Sequence, residues 1–164
     1  MTRAATYNAP LAWQDRFAKP SFDALLHEQK VQPRRILQLL CEYLDALPNV
    51  KRQVIWYGDA WKWTFEYTLH DARGRKLDTL CYVVPRTDAP ILSVPLAESI
   101  IEKLPMRRLS KIVREGIKGA KCAISVHWAT WTPTTQSDVT HLQDLLRRKH
   151  KLTLGAAEPQ PENN

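Results

Sequence analysis

The sequence predicts one α+β domain, a mainly antiparallel sheet of about five strands with helices packed on one face. Three observations predict it. Residues 61–70 alternate strictly, with Trp61, Trp63, Phe65, Tyr67 and Leu69 on one side and Lys62, Thr64, Glu66, Thr68 and His70 on the other. A period of two, rich in aromatic and β-branched residues, marks a half-buried antiparallel strand. Apolar residues at helical spacing stand before and after the run of strands, and one further strand comes late.

Residues 1–18 read as an N-terminal arm docked by Trp13 and Phe17, and residues 19–151 as the domain. Residues 152–164 read as a disordered tail, because GAAEPQPENN is polar, Pro-rich and without anchors. Ser21 or Asp23 caps a short helix ending at His27 or Gln29, with Phe22, Leu25 and Leu26 inward. Pro33 suits the first turn of the next helix, where Ile36, Leu37, Leu40, Tyr43, Leu44 and Leu47 repeat at helical spacing until Pro48.

Residues 53–57 then read as a strand, 58–60 as a turn, and the alternating stretch as the second strand. Residues 71–75 form another turn, in which Gly74 is free to take positive φ. Strands at 77–84 and 90–94 follow. A helix over 95–104 turns Leu96, Ile100 and Ile101 inward, and Pro105 divides it from a helix over 106–117 that stops at Gly119. Cys122, Ile124, Val126 and Trp128 alternate with Ala123, Ser125 and His127 as a fifth strand, which a helical crossover would bring parallel to a neighbour. Ser137 or Asp138 caps a last helix to about Lys149, with Val139, Leu142, Leu145 and Leu146 inward.

The stretch Trp56-Tyr57-Gly58-Asp59-Ala60-Trp61-Lys62-Trp63, the strand Leu80-Cys81-Tyr82-Val83-Val84-Pro85 and the closing helix from Leu142 to Lys149 resemble a group of small bacterial α+β domains of unknown function. The resemblance spans residues 20–151. It implies the same fold and brings no activity, cofactor or catalytic residue with it.

Composition excludes several classes. Of 164 residues, 44% are hydrophobic and 25% charged, ordinary for a globular chain and wrong for a disordered or collagen-like one. No apolar run reaches membrane-span length, and the first residues lack a signal-peptide core, so no membrane partner is expected. The three cysteines, Cys41, Cys81 and Cys122, are far apart, odd in number and set in apolar runs, which reads as a reduced, cytoplasmic protein.

Two surfaces are candidates for function. Six tryptophans are many for this length, and Trp61, Trp63, Tyr67 and Trp131 form an aromatic wall able to stack a planar ligand or meet a protein partner. The competing reading makes these rings the core. The net charge is +7, and Arg107, Lys111, Arg114 and Lys118 fall at i, i+4, i+7 and i+11, one face of a continuous helix opposite Leu109, Ile112, Val113 and Ile117. Arg147, Arg148, Lys149 and Lys151 make a second basic cluster. Such clusters suit phosphates, and equally suit a solvated helix face.

Chemistry is less well marked. His127, Asp138 and His141 lack metal-ligand spacing, so neither metal nor cofactor is expected. No nucleophile elbow, P-loop or dinucleotide fingerprint occurs among the five glycines. The expectation is therefore a binding or interaction module using the aromatic sheet surface. The alternatives are nucleic-acid binding through the helix over 106–118, and a small enzyme with its site near Glu66, His70 and His127.

Overall fold

In the computed structural model, which describes residues 10–157, helices α1 (Phe22–His27) and α2 (Val31–Ala46) precede strands β1 (Val50–Trp56), β2 (Trp63–His70), β3 (Lys76–Val84) and β4 (Ile91–Ala97). Helix α3 (Glu98–Lys103), a 3-10 turn (Met106–Arg108) and helix α4 (Lys111–Lys118) follow, then a hairpin of β5 (Lys121–Ala123) and β6 (Val126–Trp131), and finally helix α5 (Gln136–Ala157). The strands form one sheet in the order β1-β2-β3-β4-β6-β5. Among the described residues no helix is long and apolar enough to cross a membrane.

The α+β class stands, with one strand more than expected. The stretch read as a single fifth strand is a hairpin: Ile124 and Ser125 take φ of 50° and 61°, reversing the chain between β5 and β6. Positive φ at both central residues is the backbone of a tight two-residue hairpin turn. That reversal also removes the expected parallel pairing, because β6 returns antiparallel to β4. Other boundaries move for local reasons. β1 begins at Val50, since Asn49 at φ 62° turns the chain straight out of α2. β4 continues through Pro95 to Ala97, so α3 starts only at Glu98.

The last helix is capped by neither expected residue. The Asp138 backbone N–H donates to Thr135 Oγ1 (3.1 Å), while the Asp138 carboxylate accepts from the Thr135 and Thr134 N–H groups (3.2 and 3.0 Å). This is a reciprocal capping box with Thr135 as the cap, ahead of both Ser137 and Asp138. The helix runs on to Ala157, past the expected boundary at 151, with Leu152 packed against the core. Residues 158–164 of the tail and 1–9 of the arm lie outside the described residues. Of the arm's two anchors, Trp13 is buried and Phe17 is 96% exposed. The Ala12 and Trp13 N–H groups both donate to the Glu28 carboxylate, and Trp63 Nε1 donates to the Asp15 carbonyl (2.7 Å).

Register assigns the two faces of the sheet. Phe65, Val83, Leu92 and Trp131 stand in one row across β2, β3, β4 and β6, and all belong to the core under the helices. The adjacent row, Glu66, Tyr82, Ser93 and Thr130, points the other way, because successive residues of a strand alternate faces. β3 and β4 pair only over Tyr82–Val84 and Ile91–Ser93, then diverge. The Lys149 ammonium, fully buried, fills the split, donating to the carbonyls of Thr79 (2.6 Å), Leu80 (3.0 Å) and Pro95 (2.5 Å). Pro95 fits there because its missing N–H falls where β3 has left the ladder.

Candidate functional site

The face turned away from the core carries an aromatic array. Tyr82 is its hub, with ring centroids 4.9 Å from Tyr57, 5.8 Å from Trp61 and 5.8 Å from Trp128, the last pair stacked at 23°. Tyr57 and Trp61 lie 4.8 Å apart at 30°. These geometries fall within the offset and tilted arrangements that the ring quadrupoles favour. Tyr82 is itself buried by its neighbours, and that burial pushes its phenol up to about 12, so it stays neutral across the physiological range.

The loop between β1 and β2 delivers two of these rings. The Tyr57 N–H donates to the Lys62 carbonyl (2.9 Å) and the Lys62 N–H to the Gly58 carbonyl (2.8 Å), closing the loop. Gly58 at φ 91° and Lys62 at φ 60° turn the backbone there. Lys62 thereby interrupts the alternation that grouped Trp61 with Trp63. Trp61 swings to the opposite face, against Tyr57 and Tyr82, and its carbonyl accepts from Trp13 Nε1 at 3.0 Å.

A groove of about 690 Å³ opens beside the array. Tyr57, Trp61 and Trp128 supply its aromatic part, and Thr130, whose hydroxyl shares a hydrogen bond of 3.1 Å with the buried Ser93 at the floor, supplies a hydroxyl group. Glu115 and Gly116 of α4, with Gly119 and Lys121 beyond it, form the remaining wall. α4 comes this close because β5 pairs only as far as Trp128, leaving the outer edge of Ala129–Trp131 to the helix. The volume is in the range of small-molecule sites. A second hollow of about 200 Å³ lies on the other side of Trp128, lined by Asp78, Thr79, Tyr82, Pro95, Ala97 and Val126.

Of the four aromatic residues singled out from the sequence, only Trp61 lines this groove. Trp63 and Tyr67 are 7% and 0% exposed in the core, and their rings have no open face to offer a ligand. Trp131 is also core: its indole N–H donates to the Ile112 carbonyl (3.0 Å) and its ring lies under Gly116. Tyr57, Tyr82 and Trp128 were missed. The signal for Trp128 was parity, since a strand running through both Trp128 and Trp131 must place them on opposite faces.

The basic surface is less continuous than its spacing implied. Arg107 sits on the 3-10 turn, and the extended Leu109–Ser110 step separates it from α4, so the four cations do not share one helical face. Arg114 folds back to donate to the Leu109 carbonyl (2.9 Å), and Lys111 stands 3.8 Å from Glu115. Lys118 is exposed. The second cluster also dissolves, with Arg147 and Arg148 both on Asp144 and Lys149 buried in the sheet.

The residues considered for catalysis are not brought together. Glu66 and His70 are on β2, His127 is on β6 with β3 and β4 between them and faces the core side, and the His70 ring is occupied by the Thr68 hydroxyl and the Gly74 carbonyl. Asp138 is spent on its cap. Cys41 and Cys81 are buried with thiols pushed upward by burial, Cys41 to about 12, whereas Cys122, although set in an apolar run, is exposed on the edge strand. No family model matches the chain, nor does any curated protein.

Proposed function

We propose that this protein is a binding module whose site is the groove beside Trp128, taking a small ligand that presents a flat ring face. One observation carries the reading: exposed aromatic surface is gathered at one concave place on the side of the sheet that the core does not use. Aromatic rings normally vanish into the core, as Trp63, Phe65 and Tyr67 do here. Tyr57 instead remains 38% exposed, and Trp61 and Trp128 are half-buried. Hydroxyls and two opposite charges beside these rings provide the few polar groups that orient a ligand in such pockets. We place the module in the cytoplasm, where three free cysteines, one of them exposed, are kept reduced.

The test is ligand-observed NMR with indole, adenosine and phenyl β-glucoside as flat-ring probes, on the wild type and on Trp128→Ala. Binding by at least one probe, lost in Trp128→Ala while circular dichroism is unchanged, supports the reading. Equal binding to both proteins, or none to either, rejects it.

A further inference from the structure

The two hollows on either side of Trp128 share one electrostatic feature: each is charge-balanced. The larger has one carboxylate, Glu115, and one ammonium, Lys121. The smaller has one carboxylate, Asp78, whose Oδ2 stands 3.6 Å from the buried Lys149 Nζ behind it. Counted with the Lys149 ammonium behind Asp78, neither hollow carries net charge, which gives no selective pull on a polyanion or a cation, despite the chain's net charge of +7. What it does offer is a dense set of donors and acceptors beside π faces. Charged side chains make the strongest hydrogen bonds to neutral hydroxyls. The negative face of an aromatic ring also attracts the weakly positive C–H groups of a saturated ring.

We infer that the ligand is a neutral carbohydrate of at least two rings, lying astride Trp128 with one ring in each hollow. This deepens the flat-ring reading above and rests on it. The Trp128 indole, stacked on Tyr82 and lining both hollows, sits at the junction between the two sugar rings. In the larger hollow Glu115, Lys121 and the Thr130 hydroxyl, itself hydrogen-bonded to the buried Ser93, face the sugar hydroxyls. In the smaller, Asp78 and Thr79 do so. The contacts involve no net ion pairing, so affinity should be nearly independent of salt, unlike that of a nucleic-acid ligand.

The test is two-dimensional NMR of the full chain, following the tryptophan indole N–H signals. The probes are cellobiose, maltose, lactose and chitobiose, with glucose, adenosine, AMP and oligo-dT as comparisons. At least one disaccharide should shift the Trp128 and Trp61 signals and bind about tenfold more tightly than glucose, since linked rings gain from both hollows. Its Kd should change less than about twofold from low to high salt. Lys121→Ala and Glu115→Gln should each weaken it, and they cover the case in which Trp128→Ala fails to fold. If adenosine, AMP or oligo-dT moves those signals and the sugars do not, the carbohydrate inference falls while the flat-ring reading stands. If no probe moves them, both fall. A disaccharide that binds no better than glucose overturns the two-hollow arrangement.

Discussion

Gly116 lies directly on the indole of Trp131: a Cβ placed on this glycine would sit 2.2 Å from the ring atoms Cε2 and Nε1. The same indole donates from Nε1 to the Ile112 carbonyl, one turn earlier on the helix. Together these contacts set how closely α4 approaches β6, and with it the wall of the groove that Glu115 and Gly116 supply.

Gly116→Ala is therefore expected to destabilise the protein, against the helix preference for alanine of about 1 kcal/mol. Inserting a methyl into a packed contact costs about 1–3 kcal/mol, so the clash prevails by part of that. A lower urea midpoint at unchanged slope is the expected result. A more stable variant would mean that α4 can shift away from Trp131 freely.

Lys149→Met is expected to cost about 3 kcal/mol, because it keeps the bulk of the side chain but leaves buried carbonyls without a donor. The three acceptors belong to two strands that no longer pair with each other, so hydrogen exchange should quicken around Thr79, Leu80 and Pro95. Loss of less than about 0.5 kcal/mol in chemical denaturation would show that the split closes by itself.

Asp138 gives a pH dependence of known sign. The backbone N–H groups of Thr134 and Thr135 hold its pKa below the usual carboxylate value. A depressed native pKa means that the stabilisation is fully present above the unfolded pKa and is lost as pH falls through the native one. Asp138→Asn should flatten the acid limb of stability against pH below about pH 4 and cost about 1 kcal/mol at neutrality. An acid limb of unchanged slope would remove Asp138 from that account.

Ile124 is 97% exposed at φ 50°, a conformation that β-branched residues avoid, so its side chain gains no burial in return for the strain. Ile124→Asn, with or without Ser125→Gly, should raise Tm by a few degrees, corresponding to about 1 kcal/mol. A fall in Tm would show that the isoleucine has contacts that stabilise the hairpin.

Local pattern was enough for the class of fold and for most of its elements. The two periods, 2 in β2 and 3.6 in α2, are imposed by backbone geometry whatever the surroundings, and they read correctly: Phe65, Tyr67 and Leu69, like Ile36, Leu37 and Leu40, are all buried. The site was far less legible. Its rings come from the β1–β2 loop, β3 and β6, and nothing local says that Tyr57, Tyr82 and Trp128 meet. One left-handed residue, Lys62, moves Trp61 from the face its parity assigned, and one hairpin at Ile124–Ser125 resets the order of the sheet edge. Charge misled for a related reason. Lys149 has the sequence appearance of a surface cation, yet the parting of β3 and β4 creates buried carbonyls that only a donor arriving from α5 can satisfy. Periodicity is local and survives translation into sequence reading; which face stays open, and which charges stay in solvent, depends on contacts between residues distant along the chain.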